Sequence, residues 1–112
     1  MSIKHQNLVK QVLISLSENG FMAWQVPTGV AKSMDDKRII HFGLDGHSDV
    51  IALGDNITIF AEIKIPPDTQ SEKQKNFERE VTKRKGHIYV IVQPSTLSDF
   101  RQRLTARMFR TE

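Results

Sequence analysis

The stretch "DVIALGDNITIFAEIKIPP", residues 49–67, decides how the chain is read. Two apolar runs flank Asp55-Asn56. Both residues of that pair tolerate left-handed backbone, which suits a two-residue hairpin loop. Pro66-Pro67 ends the second run, because proline brings no ladder donor. Side chains alternate along a strand. Ile57, Ile59, Ala61, Ile63 and Ile65 therefore share one wholly apolar face. Thr58, Phe60, Glu62 and Lys64 share the other. Counting outward from the loop pairs Gly54 with Ile57 and Leu53 with Thr58, and sets Asp49 opposite Glu62. Residues so opposed have Cβ atoms about 4.5–5.5 Å apart. Two carboxylates about 5 Å apart repel by roughly 3 kcal/mol at an effective dielectric near 20. A divalent cation reverses the sign of that interaction, since Mg²⁺ takes oxygen ligands. A loop shifted by one residue would instead put the carboxylates on opposite faces. A plainer reading also stands: Glu62-x-Lys64 as a solvent-facing ion pair, with Asp49 capping a turn after Gly46. The apolar flanks weigh against it, because they describe a central strand, where exposed charge is out of place.

Outward from this hairpin, the pattern predicts one helix before it and alternating elements after it. "IKHQNLVKQVLISLSENG" (3–20) spaces Ile3, Leu8, Val9, Val12, Leu13 and Leu16 as an amphipathic helix, with Asn19-Gly20 as its stop. "FMAWQV" is a short strand ended by Pro27. "TGVAKSMDDK" reads as a polar loop and "RIIHFGL" as the return strand of a long hairpin. "SEKQKNFEREVTKRKG" is a helix with Ser71 as N-cap and Gly86 as stop. "HIYVIVQ" is a strand rich in β-branched residues, broken by Pro94. "TLSDFRQRLTARMF" is a last helix with Leu97, Phe100, Leu104 and Met108 on one stripe. The expected order is αββββαβα. The strand–helix–strand unit from Ile57 to Gln93 makes those two strands parallel, with a right-handed crossover. The class is thus α/β, a mixed sheet with helices packed on it.

A chain of 112 residues suits a single domain spanning 1–112. No cysteine is present, so disulfides and thiolate metal sites are excluded. No apolar run reaches membrane-spanning length, and "MSIKHQNLVK" lacks a signal-peptide pattern, so a cytoplasmic location is expected. Net charge is +3, from 16 basic and 13 acidic residues. Basic residues outnumber acidic ones between Lys73 and Arg110, which fits either a polyanionic partner or solvated helix faces. His5, His41, His47 and His87 show no metal-ligand spacing. Trp24, Phe42 and Tyr89 are read as core rather than as base-stacking platforms.

"GHSD", 12 intervening residues, "EIK", a helix opening "SEKQ" and the strand "GHIYVIV" together resemble the virus-type replication-repair nuclease domain. That family belongs to the PD-(D/E)xK nucleases and has a restriction-endonuclease-like fold. The similarity covers almost the whole chain and is strongest from Gly43 to Val92. Small stand-alone members occur in bacteriophages, in which case the location would be a host cytoplasm. The resemblance implies a Mg²⁺- or Mn²⁺-dependent deoxyribonuclease that hydrolyses phosphodiester bonds. Branched DNA or four-way (Holliday) junctions, met in replication, recombination or repair, are the implied substrates. It further implies Asp49, Glu62 and the carbonyl of Ile63 as metal ligands and Lys64 as the catalytic lysine. Gln74 matches a helix glutamine that such nucleases keep near the site, although Ser71-x-x-Gln74 is also a capping box, and both readings stand. Two positions depart from the family pattern. Ser48 replaces a common proline. No carboxylate precedes Glu18 in the first helix, where many members carry one, and His5 or Gln6 falls near that position. The alternative is therefore a non-catalytic nucleic-acid-binding module on a degenerate nuclease fold. Lys32, Lys37, Arg38, Lys73, Lys75 and Arg79 are the candidate phosphate contacts. A homodimer is implied by junction-resolving relatives, with the apolar stripes of the first and last helices as one source of interface and core packing as the other.

Overall fold

The Asp55-Asn56 turn forms with the expected register. In the computed structural model, residues 2–27, 29–32, 39–42 and 46–109 are described, with 29–32 and 39–42 described by their backbone. Strand β4 (Val50–Gly54) pairs antiparallel with β5 (Ile57–Ile63), Gly54 opposite Ile57 and Val50 opposite Ala61. Asn56 supplies the left-handed residue of the turn, at φ 61°. Ile57, Ile59, Ala61 and Ile63 are all buried, as alternation requires.

Helix α1 (Ile3–Glu18) precedes β1 (Met22–Gln25), and a second hairpin, β2 (Gly29–Lys32) and β3 (Ile39–Phe42), lies between β1 and β4. After β5 come α2 (Glu72–Thr82), β6 (His87–Val92), a 3-10 turn over Pro94–Thr96, and α3 (Leu97–Thr105). The main sheet has the order β1-β4-β5-β6, and β6 lies parallel to β5 with Thr58 opposite His87 and Ile63 opposite Val92. The fold is thus α/β, a four-stranded mixed sheet with three helices among the described residues. No described helix is long and apolar enough to cross a membrane.

Two expectations about connectivity need correction. The segment expected as a polar loop carries a strand, Gly29–Lys32, which makes five strands before α2 rather than four. The return strand pairs with this segment, as a separate two-stranded sheet, and not with β1. Pro27 is the physical reason: it offers no amide hydrogen, so the ladder stops there and pairing restarts beyond it. β1 pairs instead with β4, Met22 opposite Leu53 and Gln25 opposite Val50.

The apolar face of the sheet packs against α1 and α3. Leu8, Val9, Val12 and Leu16 of α1 meet Ile59 and Ile63 in the core, and Phe100 and Leu104 of α3 complete it. Arg101 ties the two helices together through Ser15 Oγ, at 3.0 Å. Most of the apolar stripe of each helix is therefore spent on the core, but Ile3, expected on the stripe of α1, is 80% exposed at the helix start. The stripe of α3 does not extend to Met108, which is 64% exposed. Helical phase is lost after Thr105, Arg107 takes φ 55°, and Phe109 turns in to pack on Phe100 with ring centroids 5.7 Å apart.

On the opposite face α2 packs against β5 and β6, its Phe77 ring edge-on to Phe60 at 5.6 Å and 6.2 Å from Tyr89. Two devices set the start of α2. Ser71 Oγ accepts from the Gln74 amide at 3.1 Å and Gln74 Oε1 accepts from the Ser71 amide at 2.9 Å, a closed capping box. Gly46, at φ 80°, presses its backbone against the first turn of the helix; a Cβ there would lie 2.3 Å from the Lys73 carbonyl oxygen. Gly46→Ala should therefore destabilise the fold by more than about 2 kcal/mol, combining a left-handed alanine with a backbone clash. Gly20→Ala provides the control: its φ is 87°, but nothing lies within 4 Å of the added carbon. Urea denaturation of both variants should show a clearly larger loss at Gly46. Equal losses would show that contact with α2 contributes nothing.

Candidate active site

One residue beyond the last paired position of β4 and β5, the same register brings Asp49 opposite Glu62. Val26 continues the ladder on the outer side, its amide donating to the Asp49 carbonyl at 2.8 Å. Asp49 is fixed in orientation, because its Oδ2 accepts from the Ile63 amide at 2.8 Å. The preceding Ser48 is fully buried and donates to the Val50 carbonyl at 3.1 Å. It thus holds by a hydrogen bond the bend that a proline would hold by its ring.

Glu62 is 2% exposed. Burial, followed by the adjoining Asp49 carboxyl, drives its pKa up to about 9, and nearby Lys64 only partly opposes this. Tyr89 on β6 reaches Glu62 Oε1 at 3.5 Å, and Gln70 donates to the Tyr89 hydroxyl at 3.2 Å. Burial is also the main reason that the Tyr89 phenol stays protonated beyond the usual range, so it acts as a donor to Glu62.

From the other side, α1 brings its first turn over the end of β5. Ser2 caps the helix through a 3.0 Å bond from the His5 amide. His5 Nε2 then lies 3.1 Å from the Ile63 carbonyl oxygen and 3.6 Å from Asp49 Oδ2. The contact with a carbonyl requires the proton on Nε2, which donates. Of the two residues considered for this place, His5 takes it; Gln6 bonds Gln25 instead, at 3.3 Å.

Asp49, Glu62, Ile63, Lys64 and Gln74 line one cleft of about 430 Å³. Ser2, His5, Ile65 and Asp68 complete it. Asp68 was not singled out by sequence reasoning; a carboxylate in the loop after β5, which ends at Ile63, carries no pattern of its own. Gln74 lies in the cleft and closes the capping box at once, so its two readings coexist. Its oxygen is committed to Ser71, which leaves the amide hydrogens for other partners. Lys73, Lys75 and Arg79 do not line the cleft. Lys73 lines a separate groove beside Phe60 and Phe77, Lys75 pairs with Glu72 at 3.5 Å, and Arg79 bonds Asn76. Lys37 and Arg38 lie outside the described residues, as does the side chain of Lys32. His47 packs edge-on against Phe77 at 6.4 Å and takes no part in the cleft. Trp24, expected in the core, is 40% exposed, because β1 is an edge strand and Phe77 of α2 packs on the β5 and β6 side of that face.

The donor set fits a hard divalent cation. Two carboxyls and a carbonyl oxygen line the cleft, all oxygen, and Lys64 in the same cleft only partly offsets the rise in the Glu62 pKa. Among the described residues no three His, Asp or Glu side chains form a ready-made cage. Mg²⁺ does not need one, since it commonly binds one or two carboxylates and keeps waters or phosphate oxygens elsewhere. No family model, no curated protein and no solved structure matches the chain.

Folding raises the proton affinity of Glu62, from an ordinary 4.5 to about 9. Its stabilising contribution is therefore complete below about pH 4.5 and is lost as pH rises through about 9. Thermal melts of the metal-free protein should show wild type losing stability relative to Glu62→Gln between pH 5 and 9. Parallel pH profiles for the two proteins would mean that Glu62 ionises normally.

Proposed function

We propose that this chain is a Mg²⁺- or Mn²⁺-dependent deoxyribonuclease with a restriction-endonuclease-like fold, similar to the virus-type replication-repair nucleases. The observation that carries the proposal is the buried meeting of Asp49 and Glu62 at one end of the central hairpin, with Lys64 beside them in the same cleft. Two carboxyls set this close must share either a proton or a cation, and a bound ion would release the proton that Glu62 otherwise keeps.

Asp49, Glu62 and the Ile63 carbonyl would hold the ion. When bound, it supplies Lewis-acid polarisation of the phosphodiester and eases ionisation of water. The chain's own residues do the rest. The Ile63 amide holds Asp49 in one orientation. Burial and Tyr89 hold Glu62. Lys64, a compact charge on a flexible stem, meets the negative charge that grows on the phosphate and orients the attacking water. The amide hydrogens of Gln74 are placed to steady a substrate oxygen or that water. Branched DNA or a four-way junction is the proposed substrate, cut by two copies of the chain with one site for each strand.

A second reading, a nucleic-acid-binding module without catalysis, is favoured by one observation. His5 Nε2 occupies the Ile63 carbonyl oxygen that would serve as a ligand. Incubation with linear, flapped and four-way DNA, with and without Mn²⁺, separates the two. Metal-dependent products are expected. Asp49→Ala, Glu62→Ala and Lys64→Ala should each lower the cleavage rate at least about a hundredfold. Circular dichroism should show the fold retained. Binding without products under any metal would favour the module, and wild-type cleavage by any of the three variants would remove that residue from the site.

A further inference from the structure

The sheet register arranges the face that carries the site into rows. Val26, Asp49, Glu62 and Ile91 form one row across the four strands. Trp24, Ile51, Phe60 and Tyr89 form the next, and Met22, Leu53, Thr58 and His87 the one after. Phe77 of α2 covers the Phe60 and Tyr89 end of the aromatic row. The other end is open: Trp24 is 40% exposed, and Met22 and Leu53 beside it are 64% and 38% exposed. Trp24 stands diagonal to Asp49, a separation of about 7–8 Å that an aromatic side chain can span.

A tryptophan left 40% exposed one row from the proposed phosphate-cleaving centre is suited to a nucleobase. Resting on the nuclease reading above, we propose that Trp24 is a stacking platform for an unpaired base next to the phosphate held at Asp49 and Glu62. Aromatic stacking tolerates any base, because every base has a π-face. It does require the base to be out of its duplex. The substrate is accordingly DNA that is single-stranded at the cut, such as a flap or the opened centre of a branch, rather than continuous duplex. The flanking Met22, Ile51 and Leu53 extend the apolar floor beneath the base. A second copy of the chain is the competing occupant. It fits less well, because a stable dimer buries about 800 Å² per partner over 20–30 residues. These few partly covered side chains offer much less than that.

Trp24 is the one tryptophan of the chain, so its emission reports on this position alone. The test titrates the full chain, in EDTA, with a labelled oligothymidine and separately with a blunt duplex. Single strand should quench the emission by about half or more, and duplex should leave it unchanged. Trp24→Ala should weaken single-strand binding roughly tenfold and leave duplex binding alone, while Trp24→Phe keeps most of the affinity. Single-strand binding detected by anisotropy with silent tryptophan emission would overturn the proposal, whatever the variants do. So would emission that shifts with protein concentration and not with DNA, the signature of a second copy. Cleavage of branched DNA with a silent tryptophan overturns this proposal alone; absence of both DNA binding and metal-dependent cleavage overturns the nuclease reading with it.

Discussion

Two carboxyl groups are forced together by strand register, and the rest of the structure is arranged around that contact. Asp49 and Glu62 face each other because a two-residue turn at Asp55-Asn56 sets the pairing of β4 with β5. A slip of one residue would send every side chain of β5 to the other face. The apolar residues of β5 prevent it. Ile57, Ile59, Ala61 and Ile63 have their burial only in this register, under α1 and α3. The hydrophobic core thus supplies the force that holds the two carboxyl groups at close range, with Glu62 kept protonated beside Asp49.

The surroundings of the pair divide the work. α1 contributes His5 at the Ile63 carbonyl and Asp49, and β6 contributes Tyr89 at Glu62. α2 enters through a capping box and the close approach of Gly46, which set Gln74 at the cleft. Each of these contacts comes from a different element, so the cleft exists only in the complete fold. Asp49, Glu62 and the Ile63 carbonyl are all on or next to paired strands, and a hydrogen bond from the Ile63 amide fixes Asp49. Such anchoring is what the proposed ion and phosphate site would require.

Much of this was legible in the sequence, for reasons that can be stated. The period-2 pattern of β5 and the Asp-Asn turn specified the register, and with it the Asp49–Glu62 pair. The capping box was visible as Ser71-x-x-Gln74. Connectivity between residues 27 and 42 was not, because a strand as short as Gly29–Lys32, following a proline and rich in small and polar residues, carries little periodic signal. Trp24 was misjudged for a different reason. Alternation gives the face on which a residue lies, but not whether a helix covers that part of the face, and α2 covers only the β5–β6 half. The role of Asp68 at the cleft rim, and the choice of His5 over Gln6, depend on how α1 and the post-strand loop pack, which no local pattern encodes.

The central claim is that the Asp49–Glu62 pair is a cation site. Burial and the adjoining Asp49 keep Glu62 protonated at neutral pH, so an ion bound there would have to displace that proton. Titration calorimetry of Mn²⁺ into the protein at pH 7.5, repeated in buffers of different ionisation enthalpy, counts the protons released. The account predicts one bound ion and release of about one proton, lost in Glu62→Gln. Binding with no proton release, or no binding at all, would contradict it.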